Sequence, residues 1–384
     1  MSKMTKSEIL AKLSRRYASA GAEHKSKLID QAVSLLGYHR KSAIRALNAP
    51  PSPRPLGRGG RPREYESKEI LPVLRKIWDG ASYPCGKRLV AMLPDWLEGY
   101  EQTVRSVSSG VKDQILGASA RTLDRLLEPL RAQRPGRSLT RPGSLLRQQI
   151  PIRGGLWDEG KAGWLEVDTV ALCGGSVAGD FVWMVDAVDY VTAWVSVRAI
   201  WNRGQESTLQ ALKNMEQTLP FALLGLDSDN GGEFINHHVV RWLQQRPRPV
   251  YFTRSRPNKK DDNAHVEQKN WTHIRQWFGY ERYGRPELLE PMNDLTRGPY
   301  GQLLNYFHAS MKLQSKEPQP NGRLKRVYEA AQTPLARVLA SPEVSAQTKA
   351  ELRRQKNRLN PFELKREVAR RLKEIHVLRC KIQK

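Results

Sequence analysis

Three carboxylates, each in a distinct local setting, carry the chemistry this chain could do. The stretch 225–234 reads Gly-Leu-Asp-Ser-Asp-Asn-Gly-Gly-Glu-Phe and follows an apolar run at 221–226. Such a run, ending in acids and then Asn-Gly-Gly, reads as a buried strand that stops and turns toward a helix. Glycines just past the strand allow a sharp turn and leave room for a bulky partner beside the acid. A carboxylate at the carboxyl end of a central strand lies where open α/β sheets place their chemistry. Alone, Asp-Asn-Gly is equally a surface turn.

Two further acids change that balance. Residues 161–170 alternate, with β-branched and aromatic side chains, which predicts a strand. Trp164, Glu166, Asp168 and Val170 share one face of it, and Leu165, Val167 and Thr169 the other. Glu166 reads as a solvated or salt-bridged neighbour of Asp168. The third acid is Glu267. After it, Trp271, Ile274 and Phe278 fall at helical spacing, on one core-facing stripe with Glu267 itself. A carboxylate at the head of such a stripe needs a counter-charge or a metal, unless it is a solvated first-turn acid. Asp186 and Asp189 read as structural members of a hairpin after the first strand.

Read together, Leu-Glu-Val-Asp-Thr at 165–169, Asp-Ser-Asp-Asn-Gly-Gly-Glu-Phe at 227–234 and Asn-Ala-His-Val-Glu-Gln-Lys-Asn at 263–270 resemble the catalytic motifs of the DDE transposase and retroviral integrase superfamily. The likeness spans residues 157–315. It implies a ribonuclease H-like fold in which Asp168, Asp229 and Glu267 are the catalytic and metal-binding residues. Asp227 is the rival for the second position, but acid, Asn, Gly and then an aromatic residue fits Asp229. The implied reaction is DNA cleavage and strand transfer by in-line phosphoryl transfer. Two Mg2+ ions about 3.5–4 Å apart stabilise the attacking and leaving oxygens in such reactions. Magnesium takes hard oxygen ligands such as these, and Mn2+ is the expected substitute. Retroviral integrases carry an amino-terminal His-His-Cys-Cys zinc site. Here the front of the chain offers only His24, His39 and Cys85, so the resemblance is closer to bacterial insertion-sequence transposases.

Composition agrees with a polyanionic partner. The 384 residues hold 64 Lys and Arg against 39 Asp and Glu, a net charge of +25, and nucleic acid is the commonest polyanion. No long uncharged apolar run, lipidation motif or signal peptide is present, which argues against a membrane protein. Three scattered cysteines form neither a disulfide framework nor a zinc pattern. A cytoplasmic protein acting on a bacterial nucleoid is expected.

The elements that must position these acids and deliver DNA to them fall into six segments. Residues 1–48 predict a helix-turn-helix domain in which Arg40, Lys41, Ser42 and Arg45 face the groove. Residues 49–65 form a basic Pro/Gly linker, read equally as a plain tether or as an arm whose Arg58, Arg61 and Arg63 suit a narrow minor groove. Residues 66–130 predict a second helical DNA-binding domain, with Ser119 as a helix cap and Arg121, Thr122 and Arg125 as contacts. A basic linker at 131–156 leads into the α/β core at 157–315, a mixed sheet flanked by helices. Lys259, Lys260, Lys269 and Asn270 are the core's expected DNA contacts. Residues 316–384, with 18 basic and 7 acidic side chains, predict a basic helical region without a β-barrel.

The reading is therefore a multidomain transposase that binds its element's terminal repeats and joins their 3′-hydroxyls to target DNA. The resemblance implies a homodimer or homotetramer on DNA, with a helper ATPase as a further candidate partner. The competing readings are a ribonuclease H-like nuclease or resolvase that only hydrolyses, and a catalytically inactive DNA-binding regulator.

Overall fold

The computed structural model describes residues 3–49, 67–132, 160–228, 234, 237–248, 250–254, 270–319 and 324–382. Asp229, Glu267, Arg58, Arg61, Arg63, Lys259, Lys260 and Lys269 lie outside them. The chain divides into two compact units, Met1–Glu66 and Ser67–Lys384.

In the first unit, α1 (Lys3–Ala18), α2 (Ala22–Leu36) and α3 (Arg40–Asn48) enclose a small core. Leu13, Tyr17, Leu28, Ala32, Leu36, Ala43 and Leu47 fill it, the 3–4 spacing having put these side chains on one face of each helix. Gly37 ends α2 in the left-handed conformation (φ 71°), and its N–H donates to the carbonyl of Val33, a closure that glycine adopts without a Cβ penalty.

The second unit opens with α4 (Ser67–Gly80), α5 (Gly86–Thr103), α6 (Ser109–Gly117) and α7 (Ala120–Ala132). Ser119 caps α7 by accepting from the N–H of Thr122 at 3.2 Å. This helical block packs within the same unit as the sheet. Trp96 is fully buried; its indole N–H donates to the carbonyl of Phe307 at 3.2 Å, and its ring meets Phe362 edge-on at 5.1 Å.

The sheet comprises β1 (Trp164–Ala171), β2 (Val182–Asp189), β3 (Val195–Trp201), β4 (Gly225–Ser228) and β5 (Tyr251–Arg254). Its order is β3-β2-β1-β4-β5. β1, β2 and β3 run antiparallel in sequence, whereas β4 and β5 lie parallel to β1 and to each other. The sheet is therefore mixed, with β1 central. The helices α8 (Gln205–Glu216) and α9 (His237–Gln244) cover one face. There Leu165, Val167, Val185, Ala187 and Leu226 meet Leu209, Leu212, Val239 and Leu243 in one cluster. Gly225 opens β4 beneath the Trp164 ring; a Cβ there would lie 2.0 Å from that ring, so only glycine fits. Trp164 continues across to stack on Tyr251 of β5.

The opposite face meets a π-helical turn, Trp271–Arg275, the short α10 (Gln276–Phe278), α11 (Leu289–Leu295) and two more π turns, Thr296–Tyr300 and Leu303–Phe307. The edge of β3 is closed by side chains. Asn305 accepts from the N–H of Val195 and donates to its carbonyl, both at 2.8 Å. Asn293 repeats this at Ala199, at 2.8 and 2.9 Å.

The basic region expected at 316–384 to be helical and without a β-barrel opens on a two-stranded hairpin, β6 (Leu313–Pro318) with β7 (Leu324–Tyr328), before its helices begin. Charged side chains along both strands hide it, because an exposed ribbon needs no apolar alternation to pair its backbone. The helices α12 (Pro334–Ala340), α13 (Ala346–Asn357) and α14 (Pro361–Ile382) follow. Among the described residues, no helix is long and apolar enough to cross a membrane.

Candidate active site

Asp168 projects from the middle of β1 and is half-buried. Its Oδ1 accepts from the N–H of Thr169 at 2.7 Å. Its Oδ2 accepts from the side-chain amide of Asn270 at 2.6 Å. Asn270 stands immediately before the π turn, so this bond fastens the head of that helical segment to the central strand.

Two more contacts fasten the same segment. His273 Nδ1 lies 3.0 Å from Asp186 Oδ2 and 3.3 Å from Oδ1, and Asp186 is the β2 residue paired with Asp168. Arg275 donates to the carbonyl of Ala171, at the end of β1, at 2.7 Å. Burial lowers the pKa of Arg275, opposed by Tyr280 and Cys173. The Tyr300 hydroxyl donates to the carbonyl of His273. Burial pushes the Tyr300 phenol well above its ordinary pKa, and the negative charge of Asp186 adds to the rise.

The π turn also corrects the helical stripe. Ile274 and Phe278 are buried as expected, but Trp271 is 45% exposed. An i→i+5 turn carries one residue more than an α-turn, which rotates Trp271 outward and brings His273 into the interior. The spacing of apolar residues alone could not reveal this, and His273 is the site residue whose role sequence reasoning missed.

Behind Asp168 lies a deeper pair. Glu166 and Asp227 are register partners on β1 and β4, each only 1% exposed. Of the two readings of Glu166, solvated or salt-bridged, burial overturns the first, while the positive charge of Lys312 interacts with its carboxylate. Asp227 accepts from the Thr253 hydroxyl of β5 at 2.7 Å, a cross-strand structural bond. Asp189 is structural as well, accepting from Thr192 N–H and Oγ1 at 2.7 and 2.6 Å and from Gly163 N–H at 2.7 Å. Burial raises its pKa despite these donors.

Ser228, the last residue of β4, pairs with Val167 beside Asp168. Its hydroxyl and the Asn270 Oδ1 are buried without a hydrogen-bond partner among the described residues. Ser228, like Val167, points to the α8/α9 face of the sheet, whereas the Asn270 amide sits on Asp168. An unmatched oxygen beside a carboxylate fits a hard cation, which takes oxygen ligands. Among the described residues no three His, Cys, Asp or Glu side chains gather as a metal site; Asp229 and Glu267 are not among those residues.

The expected DNA contacts divide. Lys41, Ser42 and Arg45 are exposed on α3, and Arg40 is exposed but paired with Asp30. Arg121 and Arg125 are exposed on α7. Thr122 is half-buried, its hydroxyl 3.0 Å from that of Ser119. Asn270 has its amide on Asp168.

Fold and site together define an α/β protein with a mixed sheet whose central strand holds a half-buried, clasped carboxylate. The chain belongs to the family of the uncharacterized protein y4rM of Sinorhizobium fredii, with which it is 34% identical over 347 residues, 88% of this chain and 96% of that one. No family model matches. Similar solved structures include the HTLV-2 integrase catalytic core in complex with magnesium, at 16% identity over 43% of this chain and 93% of that one, with a TM-score of 0.28. Another is the BIV integrase catalytic core, at 15% identity over 42% and 90%, with a TM-score of 0.25. Superpositions this loose carry no chemistry across.

Proposed function

We propose that the chain is a DNA transposase that binds the terminal repeats of its element, cleaves at the ends and joins the 3′-hydroxyls to target DNA. The bond from Asn270 to Asp168 carries this reading. It ties the residue three positions after Glu267 to the first acid, while Ser228, the residue before Asp229, is paired alongside on β4. Asn270 and Ser228, the described residues that follow Glu267 and precede Asp229 in sequence, thus lie at or beside β1, which supports the reading. The burial of Asp227 on Thr253 supports Asp229 as the second member.

Asp168, Asp229 and Glu267 would hold Mg2+, with Mn2+ as substitute; the metal supplies charge neutralisation at the reacting phosphate. This chain's own residues do the rest. Asn270 orients Asp168, and the His273 and Arg275 contacts keep the segment bearing Asn270 against the sheet. The exposed cations of α3 and α7 engage the DNA ends as helix-turn-helix contacts, with Lys259, Lys260 and Lys269 nearer the scissile phosphate. Holding two ends together calls for a dimer or tetramer, and a helper ATPase remains a candidate partner.

The test is incubation with DNA carrying the element's own flanks and Mg2+, followed by sequencing of joined products. Asp168→Asn, Asp229→Asn and Glu267→Gln should each abolish joining while end binding persists and weakens steeply with salt. Hydrolysed ends without joined products would reduce the reading to a nuclease. Normal joining by Asp229→Asn, with none by Asp227→Asn, would move the second acid.

A further inference from the structure

A second polar site lies at the outer edge of the sheet, two strands away from β1. A cavity of about 460 Å3 opens between the start of β3, the end of α8, the π turns at 296–307 and α13. Pockets of roughly 300–1,000 Å3 accommodate small-molecule ligands.

Arg198 lines it and is only 4% exposed. Its hydrogen bonds all go to neutral acceptors: Asn214 Oδ1 at 2.6 Å, the Val197 carbonyl at 2.9 Å, Thr218 Oγ1 at 3.2 Å and Ser196 Oγ at 3.4 Å. No carboxylate pairs with it among the described residues. A guanidinium has five N–H donors, so one Nη2 hydrogen remains. Burying a charge without a counter-ion is costly. Burial, with a smaller contribution from the repelling charge of Arg297, brings its pKa down to about 10.

Neutral amides and one acid complete the lining. The side-chain amides of Gln217, Gln302 and Gln347 line it. Glu351 is the acid on the wall, and it is already engaged by Arg354 at 2.9 Å and by the Gln355 amide at 3.2 Å. Arg297, also on the wall, is held by Glu290 and Asp294.

We infer that this cavity binds a dianionic phosphate monoester, with Arg198 as the charged floor and the glutamine amides as the neutral rim. Such a ligand would supply the missing counter-charge at Arg198. Arginine's planar fork suits phosphate, and the cavity exceeds what a bare phosphate fills. The site is independent of the acids on β1 and β4.

The experiment is calorimetric titration of the full chain with inorganic phosphate and, separately, with adenosine monophosphate. Saturable binding of the nucleotide is expected, tighter than that of inorganic phosphate; tighter binding of inorganic phosphate would overturn the monoester assignment. Arg198→Gln should remove it. Because a buried variant can misfold, Gln302→Leu, a rim variant, should weaken it about tenfold, the scale of one hydrogen bond to a charged group. Arg105→Gln, an exposed cation outside the cavity lining, should leave it unchanged. No saturable binding, equal binding by wild type and Gln302→Leu, or an equal loss in Arg105→Gln would overturn the assignment.

Discussion

The pair formed by His273 and Asp186 permits a quantitative test of how the helical segment is held on the sheet. Asp186 is fully buried, and its two oxygens lie 3.0 and 3.3 Å from a single nitrogen of His273. Replacing His273 with Leu leaves a carboxylate in the interior without that partner. Leaving a buried acceptor without its donor costs about 1.5–3 kcal/mol, a large share of the roughly 5–15 kcal/mol that stabilises a folded protein. Removing both partners is different. In Asp186→Leu/His273→Leu no polar group is stranded, so at least about 1 kcal/mol of the single-variant loss should return. Urea denaturation of wild type, both single variants and the double variant measures the coupling directly. Joining activity should fall in His273→Leu as well, because the segment bearing Asn270 loosens, while binding of DNA by Met1–Glu66 should persist. A single-variant loss below about 1 kcal/mol, or a double variant equal to the sum of the singles, would refute the idea that this pair secures the segment.

Three other predictions concern neighbouring features. Asn270→Ala removes the amide from Asp168 at a half-buried position where water can replace it, so stability should change by no more than about 1 kcal/mol. Joining should nevertheless drop about 10- to 100-fold with DNA affinity unchanged; a loss of affinity instead would make Asn270 a DNA contact. Lys365, over the Trp277 ring at 4.1 Å and bonded to Ser82 Oγ at 3.0 Å, has its pKa lowered to about 8, chiefly by burial and against the pull of Asp79. Between pH 8 and the ordinary lysine range the unfolded chain holds more protons than the folded one, so stability should rise with pH there. Lys365→Met should flatten that rise in melting curves, and an unchanged slope would contradict the shifted pKa. Asn305→Ala exposes the β3 backbone at Val195 and should speed hydrogen exchange of that amide about tenfold or more; unaltered protection would mean the asparagine is dispensable.

How much of this was legible in sequence follows from which forces are local. The alternation at 164–170 and the apolar runs of the hairpin fix β1, β2 and β3 because strand burial repeats every second residue. Gly37 and Ser119 announce helix ends through chemistry confined to one turn. What stayed hidden depends on distant partners. Trp96 gave no sign of Phe307 or Phe362, so the second helical block looked separable from the sheet, whereas both belong to one compact unit. The burial of Glu166 depends on helices more than a hundred residues away. The π turn that turns His273 inward changes the helical period itself, which no spacing rule tuned to 3.6 residues can register.

The paired amides of Asn293 and Asn305 also limit how copies of this chain can meet. A bare border strand invites a neighbouring backbone to zip alongside it; at Val195 and Ala199 two asparagines already occupy that seam. A multimer of the kind proposed would therefore not be built by strand pairing along β3, and contacts made elsewhere can part and re-form without unravelling that edge of the sheet.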